Sequence, residues 1–303
     1  MSASEIALPL RIGARTLWTV RRRLLRQGLT LAQGLGEGTP NLPPLVPEDD
    51  GYLVTALPAA QAEALVRRHS GLRAFVRQRY RRSYARLDLG FDAWLAGFSA
   101  KGRSTLKRKA KKLAERSGGA LDLRCYRTEE EISLFYAGAR AVSALTYQER
   151  LLDAGLPAGP DALERMRALA RRDQMRGWLL FVDARPISYL YAPAEGDTLI
   201  YAFLGYDPEF AELSPGTVLQ LEAMRQLMGE GRFRLFDFTE GEGQHKRQFA
   251  SGGVDCVDLL LVRPTLPNLL AGHALNGFDG AIALAKRAVN RLGIGGAVRR
   301  LRR

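Results

Sequence analysis

Five side chains able to exchange protons or hold charge fall within ten positions: Asp237, Glu240, Glu242, His245 and Lys246, in the stretch FRLFDFTEGEGQHKRQFASGG that spans 233–253. Carboxylates and an imidazole can accept a proton, and an ammonium can donate one or hold an anion, which is the equipment of proton or acyl transfer. His245 is the best general base of the set, because an unperturbed imidazole titrates at about pH 6.5. Glu240 and Glu242 are the next candidates. Asp237, at the end of an apolar run, is better placed to orient a neighbour or hydrogen-bond. A solvated polar loop is the plain alternative for the same composition.

Two other stretches could hold an anion. In SPGTVLQLEAMRQLMGEG (214–231), Ser214, Gly216 and Thr217 open a helix, and its free N–H groups and positive dipole end suit a phosphate. An ordinary capped helix has the same start, and no G-x-G-x-x-G fingerprint accompanies it. The run SAKGRSTLKRKAKKL (99–113) sets seven Lys/Arg, Arg103 and Lys107 among them, into positions 101–112 without an acid. Their mutual repulsion favours an anionic partner over a merely solvated helix face. A third stretch, SALTYQERLLDAGLP (143–157), brings the hydrogen-bonding groups Thr146, Tyr147 and Gln148 to a helix end, where they could meet a substrate or simply solvent.

These residues need elements to hold them. The apolar run 233–238 predicts a buried strand, and Gly241 and Gly243 leave the turn after it free to bend. Runs at 177–183, 186–193 and 198–206, joined by short turns, predict an antiparallel meander. The helix 214–231, with Ser214 as N-cap and Pro215 at its first position, then crosses over to make strand 233–238 parallel to 198–206. A last strand follows at 256–262. Upstream, the pattern predicts a strand at 51–57, a helix from Pro58 to about His69, a basic helix over 91–116 and helical structure over 129–176 capped by Thr128. Residues 11–29, with six arginines among Leu17, Trp18, Leu24 and Leu25, read as a basic amphipathic helix, on a membrane surface or packed on the protein. Residues 34–51 read as a Gly/Pro-rich linker. The expected division is therefore 1–50 basic segment and linker, 51–140 N-terminal half with the basic helix, 141–262 catalytic domain and 263–303 basic amphipathic tail.

The net charge of +13 is uneven: residues 61–127 carry 18 Lys/Arg against 5 Asp/Glu, and residues 281–303 carry 7 with no acid, so the remainder nets to −7. That distribution suggests docking to an anionic surface rather than catalysis by charge. Cys125 and Cys256 show neither disulfide nor metal-ligand spacing, so no metal is expected. No run of about 18 apolar residues is present. A cytoplasmic protein, peripheral at the inner membrane, is the expected setting.

The order meander, helix, parallel strand, further strand, together with the basic helix at 99–113 and the block FDFTEGEGQHKRQF (236–249), resembles the CelD-like, FemAB-related branch of the GNAT superfamily of N-acyltransferases, a branch close to bacterial ceramide synthases. Asp237, Phe238, Gly241 and Lys246 keep the block, and His245 stands where that branch usually has tyrosine. The resemblance spans roughly 85–262. It implies an α/β fold with a mixed sheet flanked by helices, and a degenerate companion half in the first 84 residues. It also implies acyl-CoA as co-substrate with no tightly bound cofactor, Ser214, Gly216 and Thr217 at the CoA diphosphate, and Lys246, Arg103, Lys107, Thr146, Tyr147 and Gln148 as substrate contacts. The expected acceptor is a lipid amine such as a sphingoid long-chain base, made into ceramide. A polysaccharide-linked or peptidyl amine is the enzymatic alternative. A non-enzymatic module binding anionic membrane or nucleic acid is the other, with nucleic acid not favoured.

Overall fold

Strands and helices follow one another in a computed structural model that describes residues 3–12, 15–146, 155–241 and 243–291. Along the chain these are β1 (Ser4–Ile12), β2 (Arg15–Gly28), α1 (Leu31–Leu35), β3 (Gly51–Pro58), α2 (Ala59–Arg68), β4 (Arg73–Arg86), α3 (Phe91–Ala96) and α4 (Ala100–Arg116). There follow β5 (Asp122–Tyr126), α5 (Glu129–Ser143), α6 (Pro160–Ala170), β6 (Met175–Val182), β7 (Arg185–Glu195), β8 (Thr198–Ile200), β9 (Phe203–Tyr206), α7 (Pro215–Glu230), β10 (Leu235–Asp237), α8 (Gln244–Phe249), β11 (Gly252–Val262) and α9 (Leu266–Arg291). The chain forms two compact units, one of residues 81–253 and one of residues 1–80 with 254–303. The cuts at 50, 140 and 262 expected from the sequence follow element order, whereas these units follow contacts.

In the central unit, residues 81–253, the strand order is β4-β10-β8-β7-β6-β5, with β9 also on β7. The β6–β7 pair is antiparallel and the β8–β10 pair parallel, a mixed sheet of the predicted kind. Every residue of β6 is buried because the strand is covered on both faces. Alternation sends Trp178, Leu180 and Val182 into one core cluster with α7, and Leu179 and Phe181 into another with α5 and α6. The Thr128 cap is present: Glu131 accepts the N–H groups of Arg127 (2.9 Å) and Thr128 (3.0 Å), which holds its carboxyl below the usual value.

In the other unit the strand order is β1-β2-β3-β11-β4. Residues 15–28 are a strand and not the predicted helix, because β2 pairs antiparallel with β1, setting Val20 against Leu8 and Trp18 against Leu10. A period of two overrides the helical one: Val20, Arg22 and Leu24 are at least partly buried, while Arg21 and Arg23 are exposed. Three predicted elements are also broken. Helix 91–116 is interrupted at Gly97–Ser99, where Ser99 recaps the chain by accepting Gly102 N–H at 3.1 Å. Stretch 129–176 splits into α5 and α6, the second begun by Gly159 at φ 98° and Pro160. Strand 198–206 splits at Tyr201–Ala202, and the site depends on that split. The tail expectation for 281–303 meets helix α9 as far as Arg291, and the rest lies outside the described residues.

Candidate active site

Strands β8 and β10 run parallel with Leu235 opposite Thr198 and Asp237 opposite Ile200, and their last bond is Tyr201 N–H to Asp237 O at 2.8 Å. The next residue, Ala202, gives its N–H to Tyr191 instead (3.3 Å), and β9 continues on β7 alone. Among the described residues one edge of β9 is thereby left without a strand partner. It opens on a cavity of about 520 Å³ lined by Tyr201, Leu204, Gly205 and Tyr206, by Thr146, and by Ser214, Gly216, Thr217 and Gln220 at the start of α7. An unpaired strand edge beside a helix start can take an extended, amide-bearing chain ending in phosphate.

Local geometry keeps this space open. A Cβ on Gly205 would sit 2.5 Å from Tyr189 Cε1 and 2.9 Å from Thr146 Cγ2, so only glycine allows β9 to lie so close to them. Ser214 occupies the N-cap position with Pro215 after it, as predicted, but at φ 53°, ψ 48° and without a side-chain capping bond. A left-handed serine costs about 1–2 kcal/mol. Strain of this kind at the mouth of a cavity is typical of sites that bind something. Gln220 adds a second sign, since it is 1% exposed and its Nε2 has no hydrogen-bond partner among the described residues. An unmet buried donor costs about 1–3 kcal/mol, which marks the cavity wall as incompletely satisfied.

The acidic loop lies at the C-terminal end of β10. Asp237 is fully buried and held by Arg82, whose Nε is 3.0 and 3.2 Å from its two carboxylate oxygens. It also accepts Thr239 N–H at 2.8 Å, helping to keep Thr239 at φ 61°. Its carboxylate shapes the loop and has no exposed face to offer a substrate. Lys246 reaches back from α8, donating to Glu240 O and standing 3.4 Å from Thr239 Oγ1 and 6.0 Å from the Tyr201 ring centre. Burial lowers its pKa, against the opposing charges of Asp237 and Glu240. Tyr201, whose hydroxyl is pushed up by burial, thus lies between cavity and loop.

The other sequence candidates divide. Glu240 is exposed at the loop tip. His245 sits in the first turn of α8, but its side chain, like all of Glu242, Tyr147 and Gln148, lies outside the described residues. Thr146 joins the cavity, with its Oγ1 donating to Ser143 O at 2.7 Å. Arg103 is used structurally, donating to Ala96 O (3.1 Å) and Phe98 O, and so meets carbonyls that α3 leaves unpaired at its end. Lys107 is exposed and away from the cavity. Sequence reasoning missed Arg82, Tyr201 and Gln220. Only Gln220 left a trace, as a polar break in the apolar run TVLQLEAM.

Among known proteins, residues 100–247 match the family model described as acetyltransferase (GNAT) domain, a span lying wholly inside the central unit. No curated protein matches the sequence. Of solved structures, FemX superposes with a TM-score of 0.53 at 13% identity, covering 71% of this chain and 72% of that one. The C-terminal DUF2156 domain of an Agrobacterium fabrum protein proposed as a lysylphosphatidylglycerol synthetase superposes at 0.50 and 12% identity, covering 74% and 71%. At such identities the superpositions speak for the fold. The family match, set on a parallel pair that separates beside a helix start, makes the chain an N-acyltransferase with a GNAT-type domain, and the reading as a non-enzymatic binding module is set aside.

Proposed function

We propose that the chain transfers an acyl group from acyl-CoA to the amine of a lipid acceptor, with a sphingoid long-chain base as the specific candidate. The observation that carries the donor half is the cavity beside the unpaired edge of β9, with Gln220 in its lining. The pantetheine amides would bond to the β9 edge, and the diphosphate would lie at Ser214, Gly216 and Thr217. In the reaction the amine nitrogen attacks the thioester carbon, the C–S bond breaks, the ammonium proton passes to a base, and the thiolate leaves and is protonated. His245 is the base we assign, Glu240 and Glu242 being its alternatives. Lys246, fixed against the loop beside Tyr201, offers a donor near the developing oxyanion. The basic segments support a lipid acceptor held at an anionic surface at the inner face of the membrane.

The test is release of free CoA thiol from acyl-CoA of graded chain length, with a sphingoid base, an amino sugar or a peptide amine as acceptor. Release with the sphingoid base, at least about tenfold faster than with the soluble amines, is the expected result. Release with the amino sugar or peptide alone would refute the lipid acceptor, and none with any amine would refute acyl-CoA as donor.

A further inference from the structure

A second recess in the central unit, about 880 Å³, shares no lining residue with the donor cavity. At its base Trp94, itself almost wholly buried, stacks on Phe249 with ring centres 5.9 Å apart and meets Phe98 edge-on at 4.8 Å, and Leu89, 40% exposed, supplies the open apolar surface. Its rim is cationic. Lys101, Thr105 and Lys109 follow each other at four-residue spacing along one face of α4, and Arg247 faces them from α8. No carboxylate lines the recess, and no acidic partner is recorded for these three cations among the described residues. Other basic residues of α4, Lys107, Arg108 and Lys112, are exposed outside it.

We propose that this groove binds an organic phosphate, its phosphate between Lys101, Lys109 and Arg247 and its apolar part on Trp94, Phe98 and Leu89. Three cations lining one recess without a counter-charge beside them repel one another until an anion enters, and a phosphate has oxygens enough to accept from each side chain that reaches it. A purely inorganic ion would leave the exposed Leu89 side chain and the partly exposed Phe98 uncovered, whereas a phosphate joined to an alkyl or ring body covers them. The ligand is therefore either a phospholipid headgroup with the upper part of its chains or a soluble phosphate ester. The proposal stands apart from the donor assignment, because it involves none of the same residues.

The experiment compares the wild-type chain with two triple variants of equal charge: Lys101→Ala/Lys109→Ala/Arg247→Ala in the groove and Lys107→Ala/Arg108→Ala/Lys112→Ala outside it. Binding is measured to glycerol 3-phosphate by calorimetry, and to phosphatidylglycerol–phosphatidylcholine vesicles by co-sedimentation. Circular dichroism checks the fold, and the acyl-CoA KM serves as a control for the separate donor cavity. The groove variant should lose at least about tenfold more affinity than the variant outside it, with KM unchanged. Loss confined to vesicles identifies the lipid headgroup, and loss toward glycerol 3-phosphate identifies a soluble ester. Equal losses in both variants, or no binding of either probe by wild type, would overturn the proposal.

Discussion

Arg82 and Asp237 form the most consequential pair in the central unit, because two buried charges of opposite sign hold the turn on which the acidic loop rests. Removing one partner leaves the other charged and dry, whereas removing both leaves an apolar gap. Arg82→Leu should therefore cost about 3–5 kcal/mol in urea unfolding, and Arg82→Leu with Asp237→Leu should recover most of it. A double variant no more stable than the single one would mean that the pair does not act as a unit. Gln220 behaves oppositely. Gln220→Leu removes an unmet donor, so stability without ligand should rise by about 1 kcal/mol while the acyl-CoA KM increases about tenfold. A fall in stability with KM unchanged would make Gln220 a packing residue. At this scale the sequence disclosed residue types but few roles. Asp237 stood out by its place at a strand end, yet its partner lies 155 positions away, and nothing in one sequence joins such residues.

Elements were more legible, because hydrophobic period and turn residues are local. Helix α7 begins at Pro215 and stops at Gly231 (φ 67°), and the strands around it fall where the apolar runs are. What could not be read was a conflict between periods. Residues 15–28 carry both a helical and an alternating pattern, and pairing with β1 decides between them. The break at Tyr201–Ala202 was equally hidden, since the run TLIYAFLGY is continuous and both halves pair with β7, while only the first also pairs with β10. The start of α7 can be tested directly. A Cβ on Gly216 would lie 2.9 Å from Leu204 Cδ2, so Gly216→Glu adds bulk and negative charge where we place the diphosphate. The acyl-CoA KM should rise at least about tenfold in protein that circular dichroism shows to be folded, and an unaltered KM would move the donor elsewhere. The α5 cap gives a pH signature. Glu131 has a lowered folded pKa, so its contribution is complete above the unfolded value of 4.5 and disappears as pH falls through the folded one. Glu131→Gln should cost about 1 kcal/mol at neutral pH, and the difference should close on acidification below 4.5. A difference constant with pH would mean that the carboxylate charge is not what caps the helix.

At the scale of the whole molecule the charge is the dominant fact, and its placement separates two jobs. Residues 61–127 and 281–303 supply +13 and +7, while the rest of the chain, which holds the donor cavity and the acidic loop, nets −7. Among the described residues no helix is long and apolar enough to cross a membrane. Electrostatic attraction to an anionic leaflet is worth about 1 kcal/mol per basic residue near it and is screened over about 10 Å at 0.1 M salt. Chemistry in a cavity shielded from solvent responds far less to salt. Turnover of a sphingoid base presented in anionic vesicles should therefore fall by about tenfold or more between about 0.05 and 0.5 M sodium chloride. Turnover of a short-chain soluble amine, assayed with the same acyl-CoA, should change less than about twofold over that range. The loss should shrink when the vesicles are made of neutral lipid alone, where there is no field to screen. A chain ending at Gly280, which lacks the seven basic residues of 281–303, should start from a lower rate on anionic vesicles and depend less steeply on salt. Parallel salt curves for lipid and soluble amine would show that the basic segments do not bring the enzyme to its acceptor.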